Sequence, residues 1–189
     1  MPDRPVRIAP LMPAEWTPEV REFLEGIKGA EKAATLNMPL TFARHPRLSR
    51  AILDFNLNVQ ESSEIPVRLR EIIIMRVVWL YRTDYLWGQH NRMMRRLGMG
   101  EEHIQSIKVG SDDPLWSADE RSILRAVEEL TRTRELTDGA WKELSERFSS
   151  RQILEMLTVL SQFSMLSLMF NAIGLQLEPR FGEFALERS

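Results

Sequence analysis

The chain has 189 residues, 43% of them hydrophobic, so it is long and apolar enough to form one domain with a substantial core. Its 25 basic and 27 acidic side chains give a formal net charge of −2, a balance that argues against nucleic-acid binding. It contains no cysteine, which excludes disulfides, thiolate nucleophiles and thiolate metal sites and fits a cytoplasmic location.

Several other kinds of site find no support in the sequence. The three histidines, His45, His90 and His103, lie far apart without a metal-ligand spacing, so we expect no metal ion. Glycine-rich nucleotide motifs and the G-x-S-x-G motif of serine hydrolases are missing. No alternating apolar pattern of useful length predicts a strand, so the sequence predicts an all-α protein.

The first 16 residues predict an extended N-terminal arm. They are rich in proline and charged residues and lack the apolar run of a signal peptide. Such an arm lies across a neighbouring subunit or forms a loose terminus, and the sequence leaves both open. Residues 17–189 are predicted to form a single all-helical domain.

Two helices are expected between the arm and the centre of the chain. Thr17 and Pro18 predict the start of the first, which runs toward Ala34, because threonine caps helices and proline suits their first turn. The second follows Pro46 and ends near residues 62–66, where the residue before a proline avoids helical angles.

Residues 67–98 are the most informative stretch, because their periodicity predicts a hairpin of two helices. Glu71 interrupts the apolar face of the first helix, and His90 shares the apolar face of the second. Thr83 or Asp84 can cap the second helix. The sequence therefore predicts that one acid and one imidazole point toward the core.

A carboxylate in apolar surroundings is unfavourable unless it is paired or protonated. A carboxyl and an imidazole group in one such environment suggest a proton-transfer site that works near neutral pH. Alternatively, Glu71 forms an ion pair with Arg68, Arg70 or another arginine, and His90 hydrogen-bonds a backbone carbonyl. Buried pairs of this kind also occur for purely structural reasons, so the residues alone leave both interpretations open.

Three shorter helices are predicted after the hairpin, over residues 101–109, 117–130 and 137–148. The second opens on a capping box formed by Ser117 and Glu120. His103, within the first, lies in a polar segment and is predicted to be exposed.

Residues 156–177 carry no charge over a length that could span a bilayer. Serine, glutamine and asparagine side chains recur three or four residues apart, which favours close helix packing in water over membrane insertion. A helix that is apolar nearly all round belongs in a large core or a subunit interface. Because a chain of this length has little room for such a core, the sequence predicts a homo-oligomer.

The spacing of Glu71, Thr83, Leu86 and His90 resembles that of the carboxymuconolactone decarboxylase and alkylhydroperoxidase D-like superfamily. Peroxidase members of this superfamily carry a glutamate, eleven residues, a Cys-x-x-Cys motif, three residues and a histidine. The segments HPRL at 45–48, PVRLRE at 66–71 and the turn at 171–174 extend the resemblance along the chain. The resemblance implies an alkylhydroperoxidase D-like helical bundle with the 67–98 hairpin at its centre.

The chain departs from the family pattern at the two cysteine positions, and this departure limits the reactions that it can catalyse. Thr83 and Leu86 occupy the two cysteine positions, and neither can pass through a sulfenic acid or a disulfide, so dithiol peroxidase activity is disfavoured. The decarboxylase branch is similar in needing no redox cysteine, metal or organic cofactor. The resemblance therefore implies cofactor-free acid–base chemistry, a decarboxylation or isomerisation, on a small unsaturated or lactone acid.

Each candidate site residue has a role in this hypothesis. Glu71 and His90 are the predicted catalytic residues, with His90 delivering the proton and Glu71 orienting it. Loss of carbon dioxide also needs a group that holds the substrate carboxylate and groups that shape the pocket. The candidates are Arg76, Arg82, Thr83, Tyr85, Leu86 and Trp87, although Tyr85 and Trp87 are also ordinary packing residues and Arg76 also fits a surface side chain.

Two alternatives remain open at this stage. The first is a peroxidase-related protein that reduces hydroperoxides without the cysteine pair. The second is a non-catalytic module that binds a small acid, which the apolar Leu86 would favour. A small organic acid is the expected ligand, and dimers, trimers and hexamers all occur in the resembled superfamily.

Overall fold

The computed structural model describes residues 4–27, 34–61 and 63–186. Over these residues it contains nine α-helices, two short 3-10 helices and no strand, which confirms the predicted all-α class. The 3-10 helices are Pro13–Glu15 and Pro179–Phe184. The α-helices are α1 (Pro18–Glu25), α2 (Asn37–Phe42), α3 (Pro46–Glu61), α4 (Val67–Tyr81), α5 (Asp84–Arg96), α6 (Glu101–Val109), α7 (Ala118–Thr133), α8 (Asp138–Ser145) and α9 (Ser150–Ile173).

Helix α4 is the centre of the fold. All nine residues from Arg70 to Val78 are buried, and α4 packs against α5, α6, α7 and α9. Burying one isoleucine or valine side chain contributes about 1.5–3 kcal/mol, and six apolar residues of this run belong to the core. Glu71 therefore lies in a part of α4 that is buried on all its faces, rather than in a single buried stripe.

The turn between α4 and α5 sets the hairpin. Arg82 takes the left-handed conformation at φ 52°, which ends α4, and the backbone N–H of Thr83 donates to the Val78 carbonyl at 3.1 Å. Thr83 then holds the N-cap position of α5, but its side chain makes no capping hydrogen bond. The hairpin over 67–98 is thus present, although Thr83 caps only through its backbone geometry.

Capping signals fixed several helix starts. Thr17 accepts a hydrogen bond at the start of α1, and Ser117 with Glu120 forms the predicted capping box of α7. Helix α9 begins at Ser150, six residues before the start of the predicted segment, because Ser149 and Gln152 form a further capping box.

Other boundaries differ from the prediction. Helix α1 ends at Glu25 with Gly26 as its C-cap, and the rest of the helix predicted to reach Ala34 falls largely on residues 28–33, outside the described residues. The six-residue helices α2 and Pro179–Phe184 were not predicted, because they are too short to show a helical period.

The N-terminal residues lie against the end of α9. The Arg7 backbone N–H donates to the Ile173 carbonyl at 2.9 Å. Gly174 caps α9 at φ 69°, and a Cβ atom there would overlap the Pro5 carbonyl, so both conformation and space require glycine. The division into an arm and one domain stays a prediction.

Candidate active site

Glu71 and His90 meet across the α4–α5 hairpin. The Nδ1 atom of His90 lies 2.8 Å from the Oε2 atom of Glu71. The Glu71 side chain is 5% exposed and that of His90 is 17% exposed. The structure therefore joins a deeply buried carboxyl group to an imidazole ring that keeps partial contact with solvent.

The neighbouring arginines take other partners. The Arg68 Nε atom donates to Glu120 at 2.7 Å, and Arg70 donates to the Gln60 carbonyl at 3.1 Å. Glu71 thus pairs with His90 rather than with Arg68 or Arg70, the arrangement that the sequence left open.

The contact with Glu71 gives the two nitrogens of the His90 ring different roles. An Nδ1–H that donates to a carboxylate fixes the ring orientation and leaves Nε2 to face a reactant. With its lone pair, Nε2 accepts a proton, and in the protonated ring it donates one. The pair is therefore able to act as either a general base or a general acid through a single atom.

Phe163 of α9 completes the surroundings of His90. The two ring centroids are 5.0 Å apart and the ring planes are nearly perpendicular at 89°. Phe163 is 3% exposed, so its position is fixed by the core. Sequence reasoning missed this residue, because the contact joins helices that are far apart along the chain.

An aromatic stack flanks the hairpin turn. The Trp79 and Trp87 rings lie 5.4 Å apart, and the Arg82 guanidinium lies 3.8 Å from the Trp79 ring centroid. Trp87 is 2% exposed and Arg82 is half-buried. Trp87 is therefore packed into the core, and the Arg82 guanidinium lies over the Trp79 ring.

Thr83 and Leu86, the residues at the two cysteine positions of the resembled superfamily, are buried. Leu86 is 6% exposed and belongs to the core, one helical turn before His90. Thr83 is 1% exposed, and its Oγ1 atom has no hydrogen-bond partner among the described residues.

Arg76 does not join the Glu71–His90 pair. It is buried, its Nη2 atom lies 2.8 Å from Glu128, and its Nη1 atom donates to the Ile107 and Lys108 carbonyls at 2.7 and 3.0 Å. Burial lowers the pKa of its guanidinium, and the adjacent Glu128 offsets part of this shift. These contacts tie the end of α6 to α4 and α7, so Arg76 is not the surface side chain that the sequence also allowed. Its substrate-binding role stays a prediction.

Tyr85 also points away from the pair. It packs edge to face on Phe170 at 5.5 Å and hydrogen-bonds with Glu178, Gln89 and the Met38 backbone. Burial, reinforced by the Glu178 charge, raises the pKa of the Tyr85 phenol far above its usual value. Tyr85 is thus a neutral hydrogen-bonding group between α5 and the C-terminal segment, and its pocket-shaping role stays a prediction.

One predicted exposure differs from the structure, and three surface hollows lie away from the Glu71–His90 pair. Hollows of about 690, 430 and 280 Å³ open between described residues, and neither Glu71 nor His90 lines any of these three. The His103 side chain, predicted to be exposed, is only 13% exposed because it packs near Trp116.

No metal cluster is formed by the part of the chain that the structure describes, where no three His, Asp or Glu side chains converge.

The fold places the chain with alkylhydroperoxidase D-like helical proteins. It is similar to an uncharacterized peroxidase-related protein from Silicibacter sp. TM1040, with a TM-score of 0.78 and 18% identity over 94% of this chain and 96% of that one. It is also similar to the alkylhydroperoxidase AhpD core protein from Ralstonia eutropha JMP134, with a TM-score of 0.75 and 16% identity over 92% and 94% of the two chains.

A third similar structure is the debrominase Bmp8, with a TM-score of 0.74 and 18% identity over 94% of this chain and 95% of that one. A cysteine-to-alanine variant of Bmp8 was solved in complex with 2,3,4-tribromopyrrole. No curated protein matches the chain by sequence. At these identities the structural likenesses show the fold alone.

The family comes from the sequence. Residues 46–129 match the model of the Carboxymuconolactone decarboxylase family, and this part of the chain contains Glu71 and His90. The resemblance drawn from the Glu71–His90 spacing is thus confirmed, for a member without cysteine.

Proposed function

We propose that the protein catalyses cofactor-free acid–base chemistry, a decarboxylation or isomerisation, on a small unsaturated or lactone-like acid. The observation that carries this proposal is the 2.8 Å contact between the Glu71 carboxyl group and His90 Nδ1. The match of residues 46–129 to the Carboxymuconolactone decarboxylase family model supports it.

In the decarboxylation, the bond between the substrate carboxylate and its neighbouring carbon breaks and carbon dioxide leaves. The electron pair of that bond passes into a dienolate. Nε2–H of the protonated His90 ring then donates its proton to carbon, and the ring regains a proton from solvent. Glu71 stabilises the imidazolium before the transfer and keeps Nε2 directed at the substrate.

A cation must also hold the substrate carboxylate. Arg76 is engaged with Glu128 and the end of α6, so Arg82 is the better of the two predicted arginines. Its guanidinium is half-buried over Trp79 and therefore partly desolvated. A substrate carboxylate would form a stronger ion pair with it than with a fully hydrated arginine.

The experiment follows substrate mass. Candidate lactone acids and unsaturated acids are incubated with the purified chain, and loss of carboxyl or a change of isomer is detected by mass spectrometry and NMR. His90→Gln is expected to reduce turnover about 10²–10⁴-fold, the usual contribution of a general acid. His45→Gln is the matched control, because His45 is exposed and lies outside the hairpin. Full activity in His90→Gln would exclude His90 as the proton donor.

A peroxidase-related function without thiols is the second enzymatic candidate, favoured by the fold likeness to peroxidase-related proteins. Hydroperoxide consumption by the purified, metal-free chain distinguishes it from the acid–base proposal. If the His90→Gln variant still consumed hydroperoxide, the peroxidase activity would not depend on the Glu71–His90 pair.

A binding module is the third candidate, favoured by the buried Thr83 and Leu86 at the two cysteine positions. A binder and a decarboxylase differ in the fate of the acid. An acid that is bound and recovered unchanged after prolonged incubation supports the binder, and its loss supports the enzyme.

A further inference from the structure

Helix α9 presents an uncharged face that this single copy of the chain leaves open. The face consists of side chains spaced alternately by four and three residues, and we call it the α9 stripe: Leu154, Thr158, Ser161, Met165, Leu168 and Ala172. Leu154 is 66% exposed, Leu168 60% and Met165 38%. Within the most apolar 18-residue window of α9 only 44% is buried. Contiguous apolar surface of this kind marks an interaction site.

The spacing of the stripe selects a helical partner. Alternate steps of three and four residues form the seam by which two helices pack along their lengths in a coiled coil. The stripe extends over about 27 Å, at 1.5 Å per residue. A second long helix with the same seam fits it better than a flat or irregular surface does.

The order of large and small side chains selects the orientation. When two copies of α9 pack antiparallel about a two-fold axis between Ser161 and Met165, Ser161 faces Met165 of the other copy. In the next layers Thr158 faces Leu168, and Leu154 faces Ala172. Each layer joins a large side chain to a small one, which is how close-packed layers interdigitate. A parallel pair would instead set Leu154 against Leu154 and Ser161 against Ser161.

A groove coincides with the small residues of the stripe. A hollow of about 430 Å³ lies between α3 and α9, and its lining includes Thr158 and Ser161 between the larger Phe55, Leu154 and Met165. In the antiparallel arrangement Leu168 and Met165 of the second copy enter at these two positions. The groove is thus the complement of the protruding half of the same stripe, as an isologous contact requires.

Length and dipoles agree with this occupant. Helix α9 is about 36 Å long and about 10 Å wide, so its outer face projects roughly 360 Å². A standard interface takes about 800 Å² of accessible surface from each partner, so the contact also includes α3 beside the groove at Phe55. Antiparallel packing also sets the N-terminus of each α9 beside the C-terminus of the other, where the helix dipoles attract.

We propose that a second copy of this chain covers the α9 stripe, in an antiparallel α9–α9 contact about a two-fold axis between Ser161 and Met165. This inference is independent of the proposed function.

Cysteine cross-linking tests the register directly, because the natural chain contains no cysteine. Leu154→Cys and Ala172→Cys are made as separate variants, mixed after reversible dissociation, and oxidised. The mixture is expected to form a disulfide-linked pair, and neither variant alone is, because like positions lie about 27 Å apart in this arrangement and a disulfide needs Cα atoms within about 7 Å. Cross-linking of Leu154→Cys with itself, or none in the mixture, would overturn the proposal.

Light scattering after size exclusion tests the face itself. The natural chain is expected at twice its mass of 22.0 kDa, and Leu168→Glu at 22.0 kDa with an unchanged circular dichroism spectrum. Leu115→Glu, a comparable change at a 41% exposed leucine outside the stripe, is expected to stay paired. A monomeric natural chain, or a monomer that binds phosphatidylcholine–phosphatidylglycerol vesicles through Leu168, would contradict the proposal.

Discussion

The Arg76 guanidinium and the Glu128 carboxylate lie 2.8 Å apart between α4 and α7, and the same guanidinium holds the final carbonyls of α6. One buried cation therefore joins three helices. This position explains why an arginine stands in an otherwise apolar run of the central helix.

Replacing Arg76 by methionine should destabilise the protein by about 2–4 kcal/mol. The change leaves Glu128, 26% exposed, and the α6 carbonyls without a donor, and breaking a buried pair costs about 3–5 kcal/mol before allowance for that exposure. Urea unfolding measures the change. Arg125→Met is the control, because its ion pair with Glu143 is exposed and should contribute less than about 1 kcal/mol. If Arg76→Met kept normal stability but bound substrate more weakly, the result would indicate that Arg76 binds substrate.

Gly174→Ala should detach the N-terminal residues from α9. Alanine is disfavoured at φ 69° by about 1–2 kcal/mol, and its methyl group overlaps the Pro5 carbonyl. Hydrogen exchange of the Arg7 amide, which donates to Ile173, should accelerate. Gly139→Ala in α8 places its methyl group in ordinary contact with Thr137 Oγ1 at 3.9 Å, and it should leave that exchange unchanged while raising stability slightly. Equal protection of Arg7 in both variants would show that the Gly174 contact does not hold the segment.

Tyr85 should make the protein lose stability above pH 10. Burial raises the pKa of the folded phenol above its ordinary value of 10.0, so the unfolded chain releases this proton first. Stability that Tyr85 contributes is therefore complete below pH 10 and falls as the pH rises beyond it, by at most about 1.4 kcal/mol per pH unit.

The Tyr85→Phe variant isolates this contribution. It should be about 1 kcal/mol less stable at pH 7, because its hydrogen bonds are lost, and the difference from the natural protein should shrink above pH 10. Tyr81→Phe keeps Tyr85 and should keep the fall that Tyr85 causes. A difference that stays constant from pH 7 to pH 11 would contradict the raised pKa.

Glu120 should contribute the opposite pH dependence. Its burial alone would raise its pKa, but hydrogen bonds from the Ser117 backbone and from Arg68 outweigh this and hold the pKa below 4.5. Its stabilisation is therefore present above pH 4.5 and is lost as the pH falls through the lower folded pKa.

The Glu120→Gln variant keeps the capping box and removes the charge that pairs with Arg68. Unfolding measured from pH 7 to pH 3 should show a variant less stable by up to about 1 kcal/mol at pH 7, with a difference that vanishes toward pH 3. If the variant were still less stable than the natural protein at pH 3, the loss of stability would come from altered packing or hydrogen bonding and not from the lost charge.

Local patterns were enough to predict much of the fold. The capping residues Thr17, Ser117 and Thr137 mark the starts of the helices that follow them, because a cap bonds to amides only two or three residues away. The faces of Glu71 and His90 followed from helical periodicity, since both belong to one hairpin.

Contacts between distant segments were beyond such patterns. Phe163 packs on His90 and Glu128 pairs with Arg76 only because the fold brings α9 and α7 to the central hairpin. The position of Tyr85 on its helix predicted a place at the site. In the structure its hydroxyl group hydrogen-bonds with Glu178 of the C-terminal segment. The assigned roles of the site residues and the cytoplasmic location stay predictions.

The most direct test of the central claim is the proton position on His90, observed by two-bond ¹H–¹⁵N NMR of histidine-labelled protein, with His90→Gln to assign the signal. The account predicts that the neutral ring carries its proton on Nδ1, held by Glu71, with Nε2 unprotonated, and that Glu71→Gln weakens this preference while the His45 signal is unchanged. A ring that carries its proton on Nε2, or a His90 signal indifferent to Glu71→Gln, would contradict a proton-transfer pair at this site.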